Sequence, residues 1–188
     1  MIKPNTEAQR LKALKKYEIL DTPADGAYDR LVKIAAKMFN MPIALITLVD
    51  ENRIWFKAKH GLKDVNEVPR EPGLCASAIL SDEVYLVENA LKDPRTLANP
   101  LVCSNFGLRF YAAAPLKTKN GHNIGNFCII DKKPRFLNKG QTELLQELAN
   151  IVVDEFELRL SAIIEHRKQL DYIKSLEERL NSQTKKAG

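Results

Sequence analysis

Apolar and polar positions alternate with hairpin grammar twice in this chain. The apolar run Pro42–Asp50 (PIALITLVD) is followed by polar Glu51-Asn52 and then by Arg53–Lys59 (RIWFKAK). The pattern returns at Arg109–Leu116 and Ile124–Ile130, with Lys119-Asn120-Gly121 between them to take the positive φ of a tight turn. Each pair reads as an antiparallel hairpin, so together they predict an antiparallel sheet. Pro42 lacks an N–H and is tolerable only at a strand start. Val84–Glu88 is a further strand candidate.

Helical spacing brackets these strands. Thr6–Tyr17 predicts a short helix with Thr6 as N-cap and Leu11 and Leu14 on one side, stopped by Asp21-Thr22-Pro23. Ala27–Phe39 places Tyr28, Leu31, Ile34, Ala35, Met38 and Phe39 on one buried face. Between Gly61 and Asn99 the pattern weakens. That stretch reads as a proline-bearing loop (Val68–Pro72), a short helix at Leu74–Leu80, and turns at Asp93-Pro94-Arg95 and Asn99-Pro100. Long irregular connections tend to line sites that a rigid scaffold holds up.

From Asn138, a good N-cap, to Leu180 there is no proline and Gly140 is the only glycine. Leu144, Leu145, Leu148, Ile151, Val152, Phe156, Leu160, Ile163 and Ile164 run at three-to-four spacing, continued by Leu170, Ile173, Leu176 and Leu180. Roughly forty residues at ~1.5 Å each give about 60 Å of helix, longer than the domain it starts from. The part beyond about Glu165 cannot bury its stripe on that domain, so a partner helix is expected, as a parallel coiled coil or four-helix dimer seam. His166 and Glu177 fall near the seam and spoil a clean heptad, which leaves a frayed helix as the alternative. The expected division is a folded unit over 1–160 and a helical extension with tail over 161–188.

The 188 residues, 45% hydrophobic and 28% charged, suit a soluble globular chain. The net charge of +5 is spread among interleaved acids and bases, with only Lys185-Lys186 as a basic tail, so nucleic acid is not an expected partner. No stretch approaches the ~20 apolar residues of a membrane span, and MIKPNTEAQR lacks the apolar run of a secretory signal. The expected location is the cytoplasm, with no membrane partner. Cys75, Cys103 and Cys128 lie far apart and show no zinc spacing, so no metal site is expected. Cys128 reads as a buried strand residue. Cys75 opens a helix, whose N-terminal dipole lowers a thiol pKa, and Cys103 lies in a loop.

The element order resembles a GAF domain, in the branch found N-terminal to bacterial sensor histidine kinases and diguanylate cyclases. The phrases that carry the likeness are Tyr17–Thr22, Pro42–Ile46, Val49-Asp50, Arg53 with Trp55-Phe56-Lys57, Cys75-Ala76 with Ala78-Ile79, Asp93-Pro94-Arg95, Asn99–Val102, Arg109–Ala112, Ala114-Pro115-Leu116, and Cys128 with Ile130-Asp131. They run in order from about Glu7 to Arg159. The chain departs from the branch at Ser77, usually His, at Ala113, usually Gly, and at Gly125–Cys128, usually Gly-Thr-Leu-Cys. The resemblance implies an α+β fold with a central antiparallel sheet of five or six strands, flanking helices and a long C-terminal helix.

It also implies a small-molecule cavity between sheet and middle loops. Phe56, Cys75, Ser77, Asp93, Arg95, Asn99, Arg109 and Tyr111 are the candidate ligand-binding residues, with Asp93, Arg95 and Arg109 giving directional or charge-assisted bonds and Phe56 and Tyr111 as walls. In the competing reading Asp93-Pro94-Arg95 is a turn whose arginine pairs with Asp50 or Asp131. Trp55 reads as core. The ligand and any cofactor are unidentified: neither the tetrapyrrole motif nor the NKFDE-type cyclic-nucleotide signature is evident. The expected role is a non-enzymatic sensor that forms a homodimer and signals to a separate polypeptide such as a kinase or cyclase. The alternatives are a ligand-free dimerisation module and a thiol enzyme. Cys75 and Cys103 resemble cysteines of free methionine-R-sulfoxide reductases, with Cys103 as nucleophile, but Val65 stands where those enzymes carry a further cysteine.

Overall fold

Along Ile43–Val49, the first strand (β1), Ala44, Ile46 and Leu48 face one way and Ile43, Leu45 and Val49 the other, and all are buried. A strand apolar on both sides needs a packed layer on each. The computed structural model, which describes residues 4–184, supplies both layers. The strands β2 (Arg53–His60), β3 (Glu67–Pro69), β4 (Tyr85–Val87), β5 (Phe110–Lys117) and β6 (Asn123–Asp131) join β1 in one antiparallel sheet, ordered β3-β2-β1-β6-β5-β4. Both predicted hairpins form, and β1 pairs with β6 at the centre to unite them. Gly121 takes φ +80° in the second hairpin turn. At Gly125 the chains approach so closely that a Cβ would lie 2.0 Å from the Thr47 carbonyl oxygen.

One face is covered by α1 (Pro4–Lys16), α2 (Gly26–Met38) and α5 (Lys139–Thr184). Asp25 caps α2 by accepting from the Ala27 N–H at 3.0 Å. Asn138 and Gln141 bond reciprocally, side chain to backbone, at the start of α5. Leu145, Leu148, Val152, Phe156 and Leu160 are buried on the sheet, with the Phe156 ring 6.0 Å from Tyr17 and 5.5 Å from Tyr28. Beyond Leu160 the stripe emerges: Ile164, Leu170, Ile173 and Leu176 are all exposed. Ile151 is exposed as well. Arg167 still reaches the domain, donating to both Glu18 carboxylate oxygens at 2.8 and 2.7 Å. Lys185-Lys186 and the Leu180 side chain lie outside the described residues.

The other face carries α3 (Leu74–Ala78), α4 (Pro100–Cys103) and their connecting loops. Thr6 lies inside α1, which starts at Pro4. The Val68–Pro72 loop begins as strand, because Glu67–Pro69 pairs with the outer edge of β2. Cys103 ends a helix rather than sitting in a loop, since Asn99 caps α4 and Pro100 fits its first turn. Arg95 pairs with Asp93, while Asp50 is taken by Arg53 and Asp131 by Arg135.

Candidate functional site

Strand alternation sends Thr47, Tyr111 and Cys128 from three neighbouring strands to the face beneath α3, and α3 brings Cys75 down onto them. The Tyr111 hydroxyl donates to Cys75 Sγ at 3.2 Å and lies 3.4 Å from Cys128 Sγ. The two sulfurs are 3.9 Å apart, and Thr47 Oγ1 is 3.9 Å from Cys128 Sγ. Asn126 Nδ2 donates to the Cys75 carbonyl at 3.0 Å, while its own buried Oδ1 has no hydrogen-bond partner among the described residues. The bond from Cys128 and then that from Tyr111 pull the Cys75 thiol pKa below its ordinary value, against burial. Burial raises those of Cys128 and Tyr111.

A cleft of about 180 Å³ lies beside α3, lined by Gly73, Leu74, Ser77, Arg95 and Asn99 among others. Three of the candidate residues, Ser77, Arg95 and Asn99, therefore meet there, with Cys75 and Tyr111 in the buried layer alongside. The polar groups are largely engaged by the chain itself. Arg95 bonds Asp93 and the Leu86 carbonyl (2.7 Å) and lies 4.6 Å from the Tyr85 ring centre. Asn99 Oδ1 accepts from the Leu101 N–H at 2.9 Å, and Arg109 donates to the Val102 and Leu108 carbonyls at 3.1 and 2.8 Å. A neighbouring cleft of about 290 Å³ shares Ser77 and adds Glu7, Arg70 and Leu80.

Phe56 stands apart. It packs against the edge of the α3-side core but opens onto a larger cleft, about 830 Å³, between the α1–α2 connection and the β2–β3 loop. Lys57 in this cleft is almost fully buried, donating to Thr22 Oγ1 (2.9 Å) and the Pro23 carbonyl (3.0 Å). Burial pushes its amine pKa down. Both partners lie in phrases that carry the family likeness, Trp55-Phe56-Lys57 and Tyr17–Thr22, but nothing local in the sequence pairs them. Cys103 is exposed and donates to the Leu97 carbonyl at 3.2 Å, outside the Cys75–Cys128 cluster. Among the described residues no cluster of three or more His, Cys, Asp or Glu is placed to hold a metal.

A model of the GAF domain family matches residues 23–154, well over half of the chain. The chain belongs to the GAF domain family. Over 151 residues this GAF chain is 38% identical to cyclic di-GMP phosphodiesterase PA2567 of Pseudomonas aeruginosa, a match covering 80% of the chain but 26% of that protein. The chain thus spans about a quarter of the length of that curated relative. The expectation of a non-enzymatic chain is corrected by this match, because the relative carries an enzyme's name. The fold matches free methionine-R-sulfoxide reductase from Neisseria meningitidis (TM-score 0.61, 17% identity, covering 86% of this chain and 96% of that one). It also matches the GAF domain of an Acinetobacter phosphoenolpyruvate-protein phosphotransferase (TM-score 0.56, 20% identity, 89% and 97% covered). At such identities these two likenesses speak for the fold alone. The family is one of small-molecule-binding regulatory domains in signalling proteins. No helix among the described residues is long and apolar enough to cross a membrane.

Proposed function

We propose that this GAF chain is the sensory part of a bacterial, cytoplasmic signalling system, reading a small molecule on the α3 side of its sheet and passing the result through paired α5 helices. The observation that carries this reading is the double character of α5. One continuous helix is buried on the sheet at Leu145–Leu160 and then exposes Ile164, Ile173 and Leu176 where the domain offers nothing to cover them. A rigid element that touches the sensor core at one end and needs a partner at the other is suited to relay.

For the ligand, the proposed contacts are Ser77, Arg95 and Asn99 at the small cleft and Cys75 and Tyr111 beneath it. Asp93 and Arg109 hold the walls, and Phe56 closes the far edge of the same core. The unpartnered Asn126 Oδ1 supports this face, since a buried acceptor left unmade costs about 1–3 kcal/mol that a donor from a ligand would recover. The proposed division keeps 1–160 as the sensing unit and 161–188 as the dimerising extension. The output class we favour is cyclic di-GMP turnover, on the strength of the relative's name. A kinase or cyclase would be driven by the same geometry. Ligand binding can shift the helices only by its differential affinity for their two packings.

Native mass spectra of gently purified protein, repeated after denaturation, test both halves. A dimer that sheds a discrete small mass on unfolding is the expected result. A monomer that carries nothing would overturn the reading.

A further inference from the structure

We propose that Cys75 and Cys128 form a reversible disulfide on exposure to hydrogen peroxide, a modification that locks α3 onto the sheet. The pair is a built arrangement and not a chance proximity of surface thiols. The sulfurs are in contact at 3.9 Å, and the Tyr111 hydroxyl touches both. The two residues come from different layers, Cys75 from α3 in the covering layer and Cys128 from the central strand β6. Closing the contact from 3.9 Å to the ~2 Å of a disulfide brings the sulfurs about 2 Å closer.

The two sulfurs are not equivalent. Cys75 sits on α3 in the covering layer, whereas Cys128 is wholly buried in the middle of the sheet. Cys75 also carries the lowered thiol pKa and the hydroxyl donor, so it supplies the thiolate that attacks peroxide. Its sulfur takes one peroxide oxygen as the O–O bond breaks, and the released hydroxide is protonated to water. The resulting sulfenic acid faces Cys128. The Cys128 sulfur then attacks the Cys75 sulfur, the S–S bond forms, the S–O bond breaks, and hydroxide leaves with the Cys128 proton as a second water. Overall the two thiols lose two electrons and two protons to one peroxide. A thiol such as glutathione or thioredoxin reverses the step by exchange.

The consequence is mechanical. At present α3 is held to the sheet by packing and by the Asn126 bond to the Cys75 carbonyl. A covalent link would prevent α3 from parting from β6, on the side where Ser77 and Asn99 line the small cleft. The chemistry itself does not depend on the helical relay, so it stands or falls separately from it.

The test uses the full chain carrying Cys103→Ser, which removes the exposed thiol and leaves both buried ones intact. Reduced protein is treated with hydrogen peroxide and its intact mass measured. The expected result is a loss of two hydrogens, reversed by dithiothreitol, with a non-reduced tryptic digest joining the peptides 71–92 and 120–132. Cys128→Ser is then expected to stop at a trappable sulfenic acid on Cys75. The proposal is overturned if the Cys103→Ser chain gains oxygen without forming the link, or if both thiols remain free under peroxide that oxidises unfolded protein.

Discussion

Tyr111 shows how one hydroxyl governs its surroundings. It is fully enclosed on the α3 side, with the Tyr85 ring 6.2 Å away edge-on, and its oxygen is shared between two sulfurs. Burial alone would raise the pKa of Cys75. The bond from Cys128 and then that from Tyr111 reverse the sign. Tyr111→Phe removes one of those two bonds, so the Cys75 titration should move upward, toward the ~8.5 of a free thiol. Thiolate absorbance followed against pH checks it, and an unmoved midpoint would show that the hydroxyl does not stabilise the thiolate. Sequence made Cys128 legible as a buried strand residue, but it ascribed a lowered Cys75 pKa to a helix dipole and not to the contact with Cys128 and Tyr111. That contact needs β6 placed beside β1 and α3 folded over both, which no local pattern encodes. Arg95 and Asn99 were readable as candidates from phrases that carry the family likeness, and Ser77 from a departure within one. The bonds that occupy Arg95 and Arg109 depend on loop backbone and were not.

At the scale of elements, the hairpins and the long helix were legible because each is specified within its own stretch of chain. β3 was not: a three-residue edge strand is made by its neighbour, Arg53 opposite Pro69 and Trp55 opposite Glu67, with no period of its own. The attachment of α1 was likewise invisible. Buried Arg10 donates to the Val49 carbonyl at 2.6 Å and to Glu7, which also accepts from Arg70 at 2.7 Å. Bonds from Arg10, and then from Arg70, hold the Glu7 carboxyl at about 2 against its usual 4.5. A depressed folded pKa means stability present above pH 4.5 and lost as pH falls toward about 2. Glu7→Gln should therefore destabilise the domain at neutral pH by about 1 kcal/mol, a modest figure because the carboxylate is partly solvated. The deficit relative to the parent should shrink across that acid window in urea titrations. A deficit independent of pH would assign the effect to packing instead of charge.

The whole molecule is a sheet covered on both faces, with α5 as the element that does not end where the domain does. Forty-six residues at ~1.5 Å make α5 about 70 Å long. Its contacts divide it near Leu160, with the Arg167–Glu18 pair as a further tie. Exposed Ile164, Ile173 and Leu176 lie beyond or alongside that tie. The amphipathic stripe was plain in the sequence, whereas the partner helix proposed for it belongs to a second chain and has no signature in one. The most direct test is sedimentation equilibrium of the full chain against a chain truncated after Glu165, with circular dichroism to confirm that both are folded. The account predicts a full-length dimer and a truncated form that folds but associates at least tenfold more weakly, a difference of about 1.4 kcal/mol or more. Equal association constants, or a full-length chain that remains monomeric, would contradict it.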